Sequence, residues 1–291
     1  MSFLKLVEKN IASLMLNTKF RIGFILLIFI IILGSFSIFS PPYYKQWYKL
    51  PIDQPPRLST GVLYILGTTT NGRSVFYILV NAIINSLVIG LFTALIASHI
   101  GLFAGIGAGV KGGVVEKVIM FLADVLIVIP ALPLYILLAM FLRKILTIYT
   151  IGLIISITSW AWPARQVRAI VMSLREREYM LTAKLSGMSL MKIIMSEIFP
   201  HLLGWHLANF TNTVLYSIAS ETSLAILGLS ILQEDTLGTM IYWALQYGAL
   251  YRGLVWWIIP PVAIIILLFA SLYMISLGLS EYINPRLRKL R

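Results

Sequence analysis

Few residues of this chain have the type and spacing to do chemistry, and their arrangement points away from catalysis. His99, His201 and His206 are its only histidines. His201 and His206 stand five apart, so they do not share a helix face as ligands at i and i+4 would, and no metal site is assigned. Cysteine is absent, which excludes disulfides and thiolate ligands. Serine is plentiful, but no base lies at an activating spacing, so no catalytic residue is assigned. Gly107, Gly109 and Gly112 fit a dinucleotide-type glycine pattern, yet no strand precedes them and no acid follows at the ribose distance. The P-loop pattern G-x-x-x-x-G-K-[ST] is missing, so this chain holds no such ATP site and no cofactor of its own.

Polar residues inside apolar runs carry more information. Asp124 is an acid within such a run, which makes it a functional candidate, although a structural hydrogen-bonding role is the stronger expectation. Asn81, Asn85 and Ser86 lie near the outer end of another run. Asn209, Thr211, Asn212, Thr213, Ser217 and Ser220 crowd a third. Such groups either bond neighbouring helices or face a passage. Their density favours a translocation path lined by Asn209, Asn212, Thr213 and Ser217.

Residues 172–200 are the longest polar stretch between apolar runs. Arg175, Glu176, Arg177, Glu178, Lys184, Lys192 and Glu197 alternate there with Leu174, Met180, Leu181, Leu185, Met188, Met191 and Ile194 at helical spacing. Gly187 divides the stretch into two short helices, and Pro200 opens the next run. One reading is an amphipathic helix on lipid headgroups. The other is a helix pair that docks a cytosolic partner.

The elements that must position these residues follow from composition. The chain has 291 residues, 59% hydrophobic and only 12% charged, with a mean hydropathy of +0.91. A soluble domain needs more charge to cover its surface. The expectation is an all-α polytopic membrane protein with about six spans of roughly 20 residues. They fall near 22–40, 77–109, 114–141, 147–171, 201–220 and 254–279. Residues 1–75 form an N-terminal helix with an outer segment, and 76–291 form the transmembrane core. The first run is retained rather than cleaved, since no small-residue cleavage site follows it. Residues 41–76 and 221–252 are outer segments, the second able to dip back between helices. The net charge of +12 belongs to topology rather than to nucleic acid, because Lys and Arg flank the apolar runs. With both termini in the cytoplasm, sixteen of the 23 basic residues lie inside. Lys45, Lys49, Arg57, Arg73, Arg143, Lys144 and Arg252 lie outside. Gly101, Gly105 and Gly109 recur every fourth residue, a spacing that admits a close helix neighbour.

From about Gly67 onward, some three quarters of the chain resembles the C-type permease subunits of the dipeptide/oligopeptide/nickel class of ABC importers. The most specific match is Ser173-Leu174-Arg175-Glu176-Arg177-Glu178-Tyr179, followed by Leu181-Thr182-Ala183 and Gly187 where that family has Glu-Ala-Ala-x-x-x-Gly. Pro200, Gly67-Thr68, Gly72-Arg73, Asp124 with Pro130, Glu221 through Leu227-Gly228-Leu229, and Asn284-Pro285-Arg286-Leu287 also match. Leu181 departs from the motif's Glu and Thr182 from its first Ala, while Thr69 and Ser74 replace acidic residues. The resemblance implies a type I importer permease fold in the cell membrane, paired with a second permease. It also implies two ATP-binding subunits that hold ATP and Mg, and an extracellular substrate-binding protein. The cargo would be peptides or oligosaccharides. Docking to the ATPase falls to Arg177, Glu178, Tyr179, Met180, Ala183, Leu185, Gly187 and Met188. Arg177 and Glu178 carry the charge contacts, and Tyr179, Met180, Leu185 and Met188 the apolar anchors. The alternative class is an ion-coupled secondary transporter, against which stand the missing internal repeat and the amphipathic inner segment.

Overall fold

The structure is a computed structural model that describes residues 14–57 and 61–283. Lys5, Lys9 and the match at Asn284–Leu287 lie outside the described residues. Its helices are α1 (Thr18–Ser35), α2 (Val75–Lys111), α3 (Gly113–Val128), α4 (Ala131–Phe141), α5 (Ile148–Ser159), α6 (Ala161–Arg175), α7 (Glu178–Leu185), α8 (Leu190–Ile193), α9 (Phe199–Ile226), α10 (Leu237–Gln246) and α11 (Val255–Ile283). Among the described residues there is no strand, only one isolated bridge between Thr68 and Ser74.

Helices α1, α2 and α11 are long and apolar enough to cross a membrane. The run expected as one span over 114–141 is instead two helices, α3 and α4, meeting at 90°. Ile129 is extended at the junction, and Pro130 follows it. A residue before proline is pushed out of the helical region, which accounts for the break. The run expected over 147–171 is likewise α5 and α6, parted at Trp160. Pro163 sits in the first turn of α6, where its missing N–H leaves no bond unmade.

Close packing replaces polar attachment through most of the bundle. A Cβ on Gly101 would stand 2.6 Å from Pro163 Cβ, one on Gly105 2.6 Å from Ala164 O and Val167 Cβ, and one on Gly109 2.8 Å from Val171 Cβ. Helix α6 therefore lies directly on the backbone of α2, in the register that the glycine spacing predicts. Gly107, off that stripe, meets nothing within 4 Å. Helix α1, which the sequence sets apart with residues 1–75, packs along α11. Ser271 Oγ donates to Gly23 O, and Lys19 and Asn17 both reach Glu281.

The segment 36–74 folds over one end of the bundle. Its backbone pairs with itself, Tyr48 N on Asn71 O and Leu50 N on Gly72 O. Arg73 then fixes it to the loop ahead of α10. Its guanidinium donates Nη1 to Asp235 Oδ1 at 3.0 Å and Nη2 to Oδ2 at 2.6 Å, and Nε donates to Tyr44 O. Both members of this fork are only 7% exposed. Lys45–Glu234 and Arg252–Asp53 add two further pairs nearer the surface. Helix α10 tucks between its neighbours behind this cap, with Leu237 and Met240 buried. Glu221, fully buried, accepts from Ser230 and Thr236, both at 2.8 Å, and pins the connecting loop to α9.

Candidate functional site

Where α3 turns into α4, the break opens a cavity of about 440 Å³. Ile127, Ile129 and Pro130 form one wall, Thr158, Ser159 and Trp162 a second, and Asn209, Asn212, Thr213 and Tyr216 of α9 the third. Three of the four residues expected on the path thus line this cavity. Ser217 does not: it is fully buried and donates to Thr213 O at 2.7 Å. The reason is local. Serine and threonine in a helix can satisfy themselves on the carbonyl four residues back, so polarity alone does not mark a path. Thr211 does the same with Leu207 O, and Thr213 with Asn209 O. Asn81, Asn85 and Ser86 also serve structure, binding Ser40 Oγ, Asp235 O and Leu237 N. Sequence reading missed Trp162 and Tyr216. It missed too the hydroxyl cluster in which Tyr135 meets Thr158 and lies 3.2 Å from Tyr216, residues far apart in sequence.

Asp124 is not a buried acid. It is 50% exposed and accepts one bond from Arg165 Nη1 at 2.9 Å. One helical step further on, Arg168 holds Glu116. His99 and His206, which sequence spacing does not pair, have ring centroids 4.8 Å apart between α2 and α9.

The segment 172–200 does form two short helices around Gly187. Helix α7 ends in a left-handed turn, with Gly187 at φ +73° and Met188 N donating to Ala183 O across six residues. Two residues assigned to docking, the anchor Met180 and Ala183, are buried within this chain. Met180 is 1% exposed and Ala183 7%, and both pack into an inner core with Ile106, Val167, Ile198 and Leu202. Met188 is partly buried against the same core. The stripe that remains free carries Glu178, Leu181 and Leu185, with Leu181 61% and Leu185 79% exposed. Arg177 is exposed beside it, while Tyr179 stacks on His201 with 38% exposure. An apolar helical period has two faces, and only the tertiary contacts tell which is taken. Leu181, read in the sequence as a departure from a motif, is therefore the central exposed residue of the segment.

The second short helix does not stop at Pro200. Helix α8 runs through a wider π turn, Ile194–Ile198, directly into α9. Phe199 N donates to Ile194 O, five residues back, and Pro200 has no N–H to continue a four-residue ladder. One helical rod thus links Ser189, the cap of α8, to the cavity wall at Asn209, Asn212 and Thr213.

The family described as "Binding-protein-dependent transport system inner membrane component" matches residues 101–289. An oligopeptide transport system permease protein, OppC, of Bacillus subtilis is 30% identical over 276 residues, which is 94% of this chain and 87% of that protein. The OppC of Mycobacterium tuberculosis is 28% identical over 177 residues, 60% of each chain. A dipeptide transport system permease protein, DppC, of Bacillus subtilis is 29% identical over 184 residues, 60% of this chain and 54% of that protein.

Proposed function

This chain belongs to the binding-protein-dependent transport system inner membrane components, and on that footing we propose that it imports peptides as one half of a paired permease. It is a multi-pass membrane protein and the permease subunit of an ABC importer, which sets the ion-coupled carrier aside. The cavity at the α3–α4 break forms its share of the path, closed on the open side by a second, different permease. Two ATPase subunits bind ATP and Mg on the cytoplasmic side, an external binding protein delivers cargo, and this chain does no hydrolysis itself. Both termini are cytoplasmic. Peptide is favoured over oligosaccharide because the similar proteins are named for oligopeptides and dipeptides.

The observation that carries the reading is the rod from α8 to α9. The exposed stripe Glu178, Leu181 and Leu185 fits an ATPase groove, and the turn at Gly187 leads from it into the helix that lines the cavity. Motion imposed on the stripe therefore reaches the path as rigid-body movement of a span.

Gly187 supplies the test. A Cβ there meets nothing within 4 Å, so the whole cost of a side chain comes from φ +73°. That cost is about 1–2 kcal/mol for a β-branched residue and small for asparagine. Gly187→Val should weaken ATPase retention and cut uptake by about tenfold, while Gly187→Asn stays near the parent. Both are checked by co-purification and by peptide uptake in proteoliposomes. Unchanged retention and uptake in Gly187→Val would reduce the segment to a surface helix.

Topology is tested separately. Tyr251 is 98% exposed in the outer loop. A cysteine at Tyr251 should react with an impermeant thiol reagent on intact cells, and one at Lys5 or Ser186 should not. The reverse pattern would invert the orientation and remove the docking assignment.

A further inference from the structure

We propose that the groove running inward from the cavity, between α3 and α6, is a binding site for the two charged ends of a zwitterionic peptide. This rests on the peptide reading above. Glu116, Met120, Asp124 and Ile127 recur at three- and four-residue spacing and so form one stripe of α3. Trp162, Arg165 and Arg168 form the facing stripe of α6. Ile127 and Trp162 already belong to the cavity wall. The charged residues begin one helical turn beyond it, toward the end of the fold that carries Gly187. There they enclose a second space of about 240 Å³ with Lys117 and Met120.

Two kinds of ion pair in the same molecule show what this one is built for. Arg73 and Asp235 use both guanidinium nitrogens in a fork and are 7% exposed, as a structural clamp should be. Arg165 and Asp124 share one bond and are 54% and 50% exposed. An exposed single-bond pair is weak and exchanges readily. Arg165 spends one N–H on Asp124, and Lys117 makes no ion pair among the described residues. A peptide carboxylate can therefore move onto Arg165 or Lys117 while its ammonium takes Asp124, and the two-bond, partly buried pair Arg168–Glu116 closes the far end of the groove. Because pairs exchange, no charge is left uncompensated in a low-dielectric passage, which is the arrangement a charged cargo requires.

The test uses the importer assembled from this chain and its co-expressed partner subunits, in proteoliposomes with its binding protein and radiolabelled tri-alanine. The variant is Asp124→Asn together with Arg165→Gln, which keeps size and hydrogen bonding but removes both charges. Assembly should survive, and uptake should fall at least about fivefold, as loss of a charged hydrogen bond to cargo demands. A double variant that transports at the parent rate would make the pair a packing device and overturn the site. A photoreactive methionine analogue at Met120, with both charges intact, gives a second readout. It should cross-link tri-alanine during turnover, and normal uptake without cross-linking would also overturn the site. A parent importer that takes up no peptide would instead fail the cargo reading, and this inference with it.

Discussion

Asp235→Ala will leave Arg73 as a buried, unpaired cation and cost the fold about 3–5 kcal/mol. Arg73 is enclosed on all sides, with Asp235 across both terminal nitrogens and Tyr44 at Nε. The Tyr44 ring stands 6.0 Å from the guanidinium. Its phenol cannot take over as the counter-charge. Burial first, and the nearby Asp235 second, push it up to about 12, so it stays neutral at working pH. Arg73→Ala should be as damaging, because it strands the carboxylate. Replacing both, Arg73→Met with Asp235→Leu, should recover most of the loss, since an apolar pair of similar volume needs no compensation. The measurement is the apparent unfolding temperature of the detergent-solubilised chain at one fixed scan rate. Single variants should drop by roughly 6 °C or more, at about 2 °C per kcal/mol. Single variants that melt with the parent would show that water reaches the pair.

Gly105→Val should be the most damaging change inside the bundle. Its first carbon would stand 2.6 Å from Ala164 O and from Val167 Cβ, one a backbone atom and the other a branch point that cannot swing aside. The helices must separate, and α6 carries Val167 and Val171 of the inner core with it. Overpacking of this kind costs about 1–3 kcal/mol, and more where backbone has to move. Gly107→Ala is the matched control, two residues away in open space, where alanine's better helix propensity is worth up to about 1 kcal/mol. Size-exclusion profiles and apparent melting temperatures in detergent should fall for Gly105→Val and hold or rise for Gly107→Ala. Equal behaviour of the two would remove the α2–α6 contact as the reason for the stripe.

The contrast between these two predictions marks what could be read from sequence. The glycine stripe was legible because its period of four is a property of one helix, and any partner must use it. The Arg73–Asp235 fork was not, because its members are separated by most of the chain and each looks like an ordinary charge in an outer loop. The helical runs were legible from apolar length, but breaks inside them were not drawn. Pro130 sits in unbroken apolar sequence, so hydropathy ran through the very turn that opens the cavity. Asn209, Asn212 and Thr213 share one face of α9 by their spacing, and that face is the one that lines the cavity. Ser217 lies off that face, buried with its hydroxyl on Thr213 O, which no pattern within one helix reveals. Over 172–200 the two helices and the Gly187 turn are legible, but the burial of Met180 is not. Its core partners, Val167 and Leu202, come from helices on either side.

The π turn at Ile194–Ile198 fixes the azimuth of everything beyond it. Each α-helical residue advances the screw by about 100°. One additional residue accommodated in a wide turn therefore re-phases the whole of α9 relative to α8. Closing the same residues as ordinary α-helix, with none removed, would undo that phase. Asn209, Asn212 and Thr213 would then turn by about 100° relative to α8, away from the cavity wall, whereas removing one residue from the turn would leave them in place. The wide turn itself, rather than the length of the stretch, thus sets which face of α9 meets the cavity.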